Sequence, residues 1–397
     1  MSDLKNNRKI RNFLNQPSIK VPFFSPWITK NDKDAVIEAI NSVLLTDGPK
    51  LRKFELAFSK FTGTKYAIGV SNATAALHLS LKALGIGKGD EVIVPDMTFV
   101  ATASAVIHTG ATPVFADVNK EDMNISMDSI KDNLTSKTKA ILAVHFAGKV
   151  CNVDKIRKIA RSNNLAIVED CAHAIGAKFK NRHVGNFGDA GCFSFYPTKN
   201  ITTVEGGMVI TSSKKIAEYV TAARNHGITK SLIERYSHGR PWNYDVIEPG
   251  YNYRLDEIRS SLGLSQLKRI KKLNSLRKKA FEYYNKKLKG IEGVITPSLF
   301  GHHGSAFHLY IIRIQKQYGI TRDQLFEKLL CHGISTSVHY KPLHEFTVFR
   351  KLKKRNKDLR NSNQLYKEMI SLPLYPNITK KEQDLVIKGI QESRLSK

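Results

Sequence analysis

The stretch Leu165-Ala166-Ile167-Val168-Glu169-Asp170 decides the fold. Its first four residues are apolar without alternation, which marks a strand buried on both faces, and it ends on two carboxylates. Runs of the same kind lie on either side, at Tyr66–Val70, Glu91–Pro95, Pro113–Asp117, Ala140–His145, Cys192–Phe195 and Gly207–Thr211. Amphipathic stretches separate them, including Asp32–Ser42, Lys53–Phe61, Thr74–Leu84, Ala101–His108 and Asp154–Ser162. Strands alternating with helices predict an α/β large domain, a mostly parallel seven-stranded sheet between helices.

From Leu255 the pattern stays helical, with Leu262, Leu264, Leu267, Ile270 and Leu273 on one side. It predicts one long linking helix over 255–289. Beyond it, Phe307–Ile314, Thr321–His332 and Lys380–Gln391 predict a smaller C-terminal α+β domain over 290–397. Residues 1–22 carry charge, Asn and Pro with little periodicity and are expected to form a flexible basic arm. The large domain then runs over 23–254.

A chain of 397 residues buries roughly three quarters of its extended surface on folding, enough for a large core without staples. Hydrophobic residues at 41% and charged residues at 25% exclude disorder as the main state. Lys plus Arg at 63 against Asp plus Glu at 35 gives +28, which invites a nucleic-acid reading. The basic residues are spread along the chain, and no nucleic-acid motif surrounds the clusters at Lys268–Lys272 and Lys351–Lys354, so a soluble protein from a lysine-rich proteome, or one handling anionic substrates, is the preferred reading. Cys151, Cys171, Cys192 and Cys331 show no metal-ligand or redox-pair spacing, and no metal site is expected. The first residues lack the apolar core of a signal peptide, and no run approaches 18 apolar residues. A cytoplasmic protein without a membrane span is expected.

Three local signals carry chemistry. Ser71-Asn72-Ala73-Thr74-Ala75-Ala76-Leu77 sits between a strand and a helix, where free amides and a hydroxyl form a phosphate seat. Asp170 stands at the carboxyl end of a buried strand, the edge where open α/β sheets bind ligands. Lys199, in Ser194-Phe195-Tyr196-Pro197-Thr198-Lys199-Asn200, follows another such strand among aromatic and small residues, where partial desolvation would make its amine nucleophilic. Each has a plainer reading: an ordinary N-cap, a capping carboxylate, a snorkelling lysine. Together they are the three anchors that pyridoxal phosphate requires: an amine for the Schiff base, an acid for the pyridine nitrogen and a seat for the phosphate.

Around these anchors run Lys53-Phe54-Glu55 with Phe61-Thr62-Gly63, then Pro95-Asp96-Met97-Thr98-Phe99-Val100-Ala101-Thr102 and Glu169-Asp170-Cys171-Ala172-His173. Gly250-Tyr251-Asn252-Tyr253-Arg254, His339-Tyr340-Lys341-Pro342-Leu343-His344 and Leu372-Pro373-Leu374-Tyr375-Pro376 follow. In these segments, from about Pro26 to Pro376, the chain resembles the DegT/StrS-type sugar-nucleotide aminotransferases, which have the fold type I aminotransferase architecture and use pyridoxal 5'-phosphate. The resemblance implies that Lys199 forms the Schiff base and shuttles a proton, and that Asp170 partners the pyridine nitrogen. It implies that Phe99 stacks on the ring and that His173 lies near the cofactor's phenolic oxygen. Ala73, Thr74 and Ser194 match phosphate contacts. Asn252 matches a residue reaching the phosphate of the neighbouring subunit, hence a homodimer with shared sites. Arg254 and His339 fall in segments bordering the substrate cleft.

The activity implied is transfer of an amino group from an amino acid, glutamate by kinship, to a nucleotide-linked keto-sugar, for polysaccharide, glycan or amino-sugar biosynthesis. Departures from the pattern are Tyr196 where His is common, Val204 where Gly or Ser is common, and Cys171 where Ala is common. Relatives that carry histidine in place of the lysine are sugar dehydratases; Lys199 favours transamination over that alternative. A regulatory nucleic-acid-binding protein on the same fold is the other alternative.

Overall fold

The structure is a computed structural model and describes residues 18–230, 232–237, 241–298, 304–355 and 358–395. Strands β1 (Tyr66–Val70), β2 (Glu91–Pro95), β3 (Thr112–Ala116), β4 (Thr138–Val144), β5 (Ala166–Asp170), β6 (Ala190–Ser194) and β7 (Gly207–Thr211) form one sheet in the order β1-β7-β6-β5-β4-β2-β3. All pairings from β6 across to β3 are parallel, and β7 runs antiparallel to both its neighbours. The sheet is therefore mostly parallel and seven-stranded, as the alternation predicts.

Apolar residues reach both faces of the central strands. Val92, Val94, Leu142 and Val168 join one core with the helix Ala73–Ala83, while Ile93, Ile141, Ala143 and Ile167 join another beneath the helix Val153–Ser162. The period of two sends Asp170 to the face of Val168 and Glu169 to the face of Ile167. That parity sorts the two carboxylates into different work.

The linking segment differs from the single helix expected over 255–289. It forms two helices, Glu257–Leu267 and Ile270–Leu288. At the break, Arg269 leaves helical geometry at φ −107° and its guanidinium turns to Asp32 and to the carbonyl of Trp27. The first helix packs on the helices Lys30–Ile40 and Pro49–Thr62. Its Glu257 caps the latter by accepting the amides of Gly48, Lys50 and Leu51 at 3.1, 2.7 and 2.9 Å. That cap, from some two hundred residues away, starts the helix at Pro49 rather than at Lys53 as the local pattern predicts.

Only the second helix joins the C-terminal core, where Phe281, Tyr284 and Leu288 pack on the antiparallel strands β8 (Val294–Ile295), β9 (Tyr310–Ile314) and β10 (Met369–Leu372). The helices Arg322–Cys331 and Lys380–Leu395 complete this α+β layer. Residues 1–17 of the expected flexible arm lie outside the described residues, and its last residues are docked. Val21 is fully buried, and the amides of Lys20 and Val21 donate to the carbonyl of Gly333. No helix among the described residues is long and apolar enough to cross a membrane.

Candidate active site

The site forms at the carboxyl ends of β5 and β6. Asp170, the last residue of β5, is buried and accepts hydrogen bonds from the Thr102 hydroxyl at 2.9 Å and the Ala172 amide at 3.1 Å. Thr102 in turn accepts from Thr98 at 3.0 Å, because its one hydroxyl hydrogen is committed to Asp170. Burial pushes the Asp170 carboxyl above its usual range, opposed by those two donors and by the Lys199 ammonium.

Lys199 lies in the loop after β6, half-buried, its amide tied to the carbonyl of Tyr196. Desolvation lowers its ammonium to about 8, against the pull of Asp170. A lysine at that value is a nucleophile near neutral pH, and the amine and the carboxylate face one site.

Three histidines and a tyrosine close the site on the other side. The ring of His173 lies 4.4 Å from that of His308, and Lys199 helps burial hold His173, His308 and His339 below their usual range, His339 at about 3. The Ala147 amide donates to His173 Nδ1 at 3.3 Å, so the neutral ring carries its hydrogen on Nε2. That hydrogen goes to the Tyr340 oxygen, 3.0 Å away, and leaves the Tyr340 hydroxyl hydrogen free to point elsewhere. Burial and the Asp170 charge raise the phenol's pKa, so it stays a donor. Phe99, 55% exposed, stands 5.9 Å from the Tyr340 ring with a face open to solvent.

The predicted phosphate seat opens the helix Ala73–Ala83. Asn72 caps it by accepting the Ala75 amide at 2.8 Å, and the amides of Ala73 and Thr74 have no acceptor among the described residues. Ser194 pairs with Gly207 across β6 and β7, and Gly207 presses on the seat. A Cβ on Gly207 would come within 2.5 Å of the Asn72 carbonyl and 2.9 Å of the Ala73 nitrogen. Asp170 on β5 and Gly207 on β7 are two strand spacings apart, about 10 Å. Gly207→Ala is expected to displace the seat at a cost of about 1–3 kcal/mol and to weaken cofactor binding about tenfold or more. An absorbance titration of the apoprotein with pyridoxal phosphate measures it; unchanged affinity would argue against a seat at Ala73–Thr74.

The structure thus gathers Asp170, His173, Lys199 and His339, with Phe99 beside Tyr340 and with Ala73, Thr74 and Ser194 at the seat. It does not bring Asn252 or Arg254 to them within the chain. Asn252 is exposed, its backbone bridged to Asn225, and Arg254 donates to Asn225 Oδ1 at 2.7 Å beside Val70 of β1. Sequence reasoning passed over Thr102, Asn200, His308 and Tyr340 as site residues. Tyr340 lies in the segment His339–His344 and Thr102 in Pro95–Thr102, and Asn200 directly follows Lys199. Asn200 Oδ1 accepts from His308 Nδ1 at 2.9 Å, and its Nδ2 donates to Asn274 Oδ1 and to the Ala306 carbonyl, each at 2.7 Å. No local pattern singles out His308.

Contrary to the absence of metal-ligand spacing in the sequence, His145, Glu169 and Cys171 come within 4.8 Å of one another, all buried. The Glu169 oxygens already accept His145 Nε2 and the amides of Gly185, Phe187 and Gly188, at 2.6 to 2.9 Å, which leaves no carboxylate lone pair favourably placed for an ion.

The residues fit pyridoxal phosphate: a desolvated amine, a buried acid whose charge reaches it, open amides at a helix start and a glycine that lets the backbone close in. Comparison with known proteins agrees. A family model described as the DegT/DnrJ/EryC1/StrS aminotransferase family matches residues 26–391. The spore coat polysaccharide biosynthesis protein SpsC of Bacillus subtilis is 39% identical over 94% of this chain and 96% of its own. PseC of Helicobacter pylori, an aminotransferase involved in the biosynthesis of pseudoaminic acid, superposes with a TM-score of 0.87 at 32% identity over 95% of this chain and all of its own. The putative sugar aminotransferase Spr1654 of Streptococcus pneumoniae, solved in its PMP form, superposes at 0.87 with 31% identity over 95% of this chain and 99% of its own. Its PLP form has also been solved. Anchors, fold and relatives converge: the chain belongs to the DegT/DnrJ/EryC1/StrS aminotransferase family, whose cofactor is pyridoxal phosphate.

Proposed function

We propose that this enzyme transfers the amino group of an amino acid, glutamate as the first choice, to a keto-sugar linked to a nucleotide. The observation that carries the reading is the approach of the Lys199 amine, lowered to about 8, to the buried Asp170 carboxyl at one sheet edge. Pyridoxal phosphate supplies there a carbonyl that exchanges amino groups and a ring that delocalises the electron pair of the deprotonated carbon.

The protein's side chains do the rest. Asp170 would keep the ring nitrogen protonated, and Thr102 and Ala172 fix its two oxygens so that it cannot turn away. Lys199 would be the amine that holds the cofactor at rest and, when free, would carry a proton to and from the substrate carbon. Phe99 covers one ring face. His173, neutral and oriented by Ala147, would hold Tyr340 as a donor for the cofactor's phenolic oxygen. Ala73, Thr74 and Ser194 hold the phosphate. Asn252, exposed and outside its own site, completes the phosphate site of a second copy in a homodimer. Arg254 and His339 border the sugar-nucleotide cleft, and part of the +28 charge draws in the substrate's diphosphate. Residues 23–254 act as the cofactor-binding domain, and the lobe after Gly290 forms the far wall of the cleft.

The test is a panel of nucleotide-linked keto-sugars incubated with holoenzyme and glutamate, read by product mass. A product in which an amino group has replaced the carbonyl oxygen is expected. A deoxy product, or amination of simple 2-oxo acids alone, overturns the proposal.

A further inference from the structure

We infer that residues 20–27 form a strap across the cleft and that Phe23, through it, is a positioning residue for His339. The strap is pinned at both ends. At one end Val21 lies in the C-terminal core, its amide and that of Lys20 bonded to Gly333 and its carbonyl accepting from Ser335. At the other, Trp27 packs on the large domain's core, its ring 5.7 Å from the Arg269 guanidinium and 5.4 Å from the Lys272 ammonium. Its carbonyl accepts from Gln266 and Arg269. Pro22 and Pro26 stiffen the span between the anchors.

Between those anchors the strap touches the chemistry. Phe24, Ser25 and Trp27 face Thr198, Lys199 and Arg277 across a crevice of about 10 Å³, room for a single water. Phe23 stacks on the His339 imidazole with centroids 5.5 Å apart and planes 23° from parallel. His339 is held at Nδ1 by the Ser371 hydroxyl at 2.8 Å and at its edge by the Tyr340 ring, 4.8 Å away. Phe23 covers one face of the ring and keeps water from it. The charged and titratable groups around His339 are Lys199 from the loop after β6, His173 after β5, His308 before β9, and Tyr340 beside it. None is a carboxylate that would hold an imidazolium. The dry face keeps His339 neutral, with the Lys199 ammonium adding to it before the cofactor binds, and leaves the ring able to hydrogen-bond a sugar hydroxyl through Nε2.

The inference rests on the proposed substrate only for the role of His339 in the cleft; the state of the imidazole is read without any substrate. The experiment is a pH titration of histidine ring signals in the ¹⁵N-labelled holoenzyme, with the His339 signal identified by its loss in His339→Asn. In the parent, His339 is expected to stay neutral down to about pH 5, given its value of about 3. In Phe23→Ala its midpoint should rise into the range of about pH 5–7, towards that of a solvated imidazole. Phe23→Tyr should restore the parent titration, and Phe23→Leu serves if the alanine variant does not fold. In the amination assay, Phe23→Ala should add an acid limb to kcat/KM for the keto-sugar and leave glutamate-driven conversion of the bound cofactor within about threefold. An unmoved His339 titration in folded Phe23→Ala or Phe23→Leu overturns the inference. A parent that aminates no keto-sugar overturns the functional proposal alone.

Discussion

Lys199→Ala protein is expected to bind pyridoxal phosphate without forming a covalent bond to it, and to lose turnover by on the order of 10³-fold or more. Two proposed functions would go with one amine: the covalent hold on the cofactor and the carrier of the proton. Among the described residues no second amine is placed to replace it, because the other basic groups whose charges reach Asp170 and His173 are histidines. Borohydride reduction followed by peptide mapping measures the covalent part; a trapped adduct on another lysine of the variant would refute the assignment. The lowered value of Lys199 adds a pH signature. Only the neutral amine attacks the aldehyde, so capture of pyridoxal phosphate by the apoprotein should accelerate about tenfold per pH unit below about pH 8 and then level off. A plateau already reached at pH 6 would mean that the amine is neutral for some other reason.

Much of this arrangement was legible in the sequence because it is local. β5 and its two carboxylates, the start of the helix at Ala73 and the loop carrying Lys199 are each written in fewer than ten consecutive residues, and the sheet's order carries them to one edge. What escaped was set by long-range contacts. The start of the helix at Pro49 depends on Glu257, and the break at Lys268–Arg269 depends on Asp32 and Trp27. No window of sequence contains both partners of either pair. The same holds for His308, which reaches His173 only because the chain returns beneath the cleft after the second linking helix. Phe23 fell inside the large domain by composition, yet its significance comes from stacking on a residue more than three hundred positions later. Glu169 was visible but indistinguishable from Asp170, since two adjacent acids at a strand end differ only in the face each takes.

That difference predicts opposite outcomes for the two acids. Glu169 is fully buried and accepts four donors: His145 Nε2 and the amides of Gly185, Phe187 and Gly188. Burial raises its pKa, but those donors outweigh burial and leave it below the usual carboxylate range. Glu169→Ala strands all four donors in a dry interior and is expected to cost about 3–5 kcal/mol of stability. Glu169→Gln should fare little better, because its amide nitrogen would face a donor. A group with a depressed pKa stabilises the fold above its unfolded value and loses that contribution as pH falls through the folded one. The gap between parent and variant in urea unfolding should therefore be largest near pH 7 and shrink below about pH 4.5. Asp170 has the reverse sign: its raised pKa means that ionisation costs the apoprotein stability. Asp170→Asn removes that cost, and Thr102 can turn its hydroxyl to accept from the new amide. The variant is expected to unfold within about 1 kcal/mol of the parent, or later, while turnover falls by on the order of 10²-fold or more. Equal stability losses for the two substitutions would show that both acids are structural, and the assignment of Asp170 to the chemistry would fall with that result.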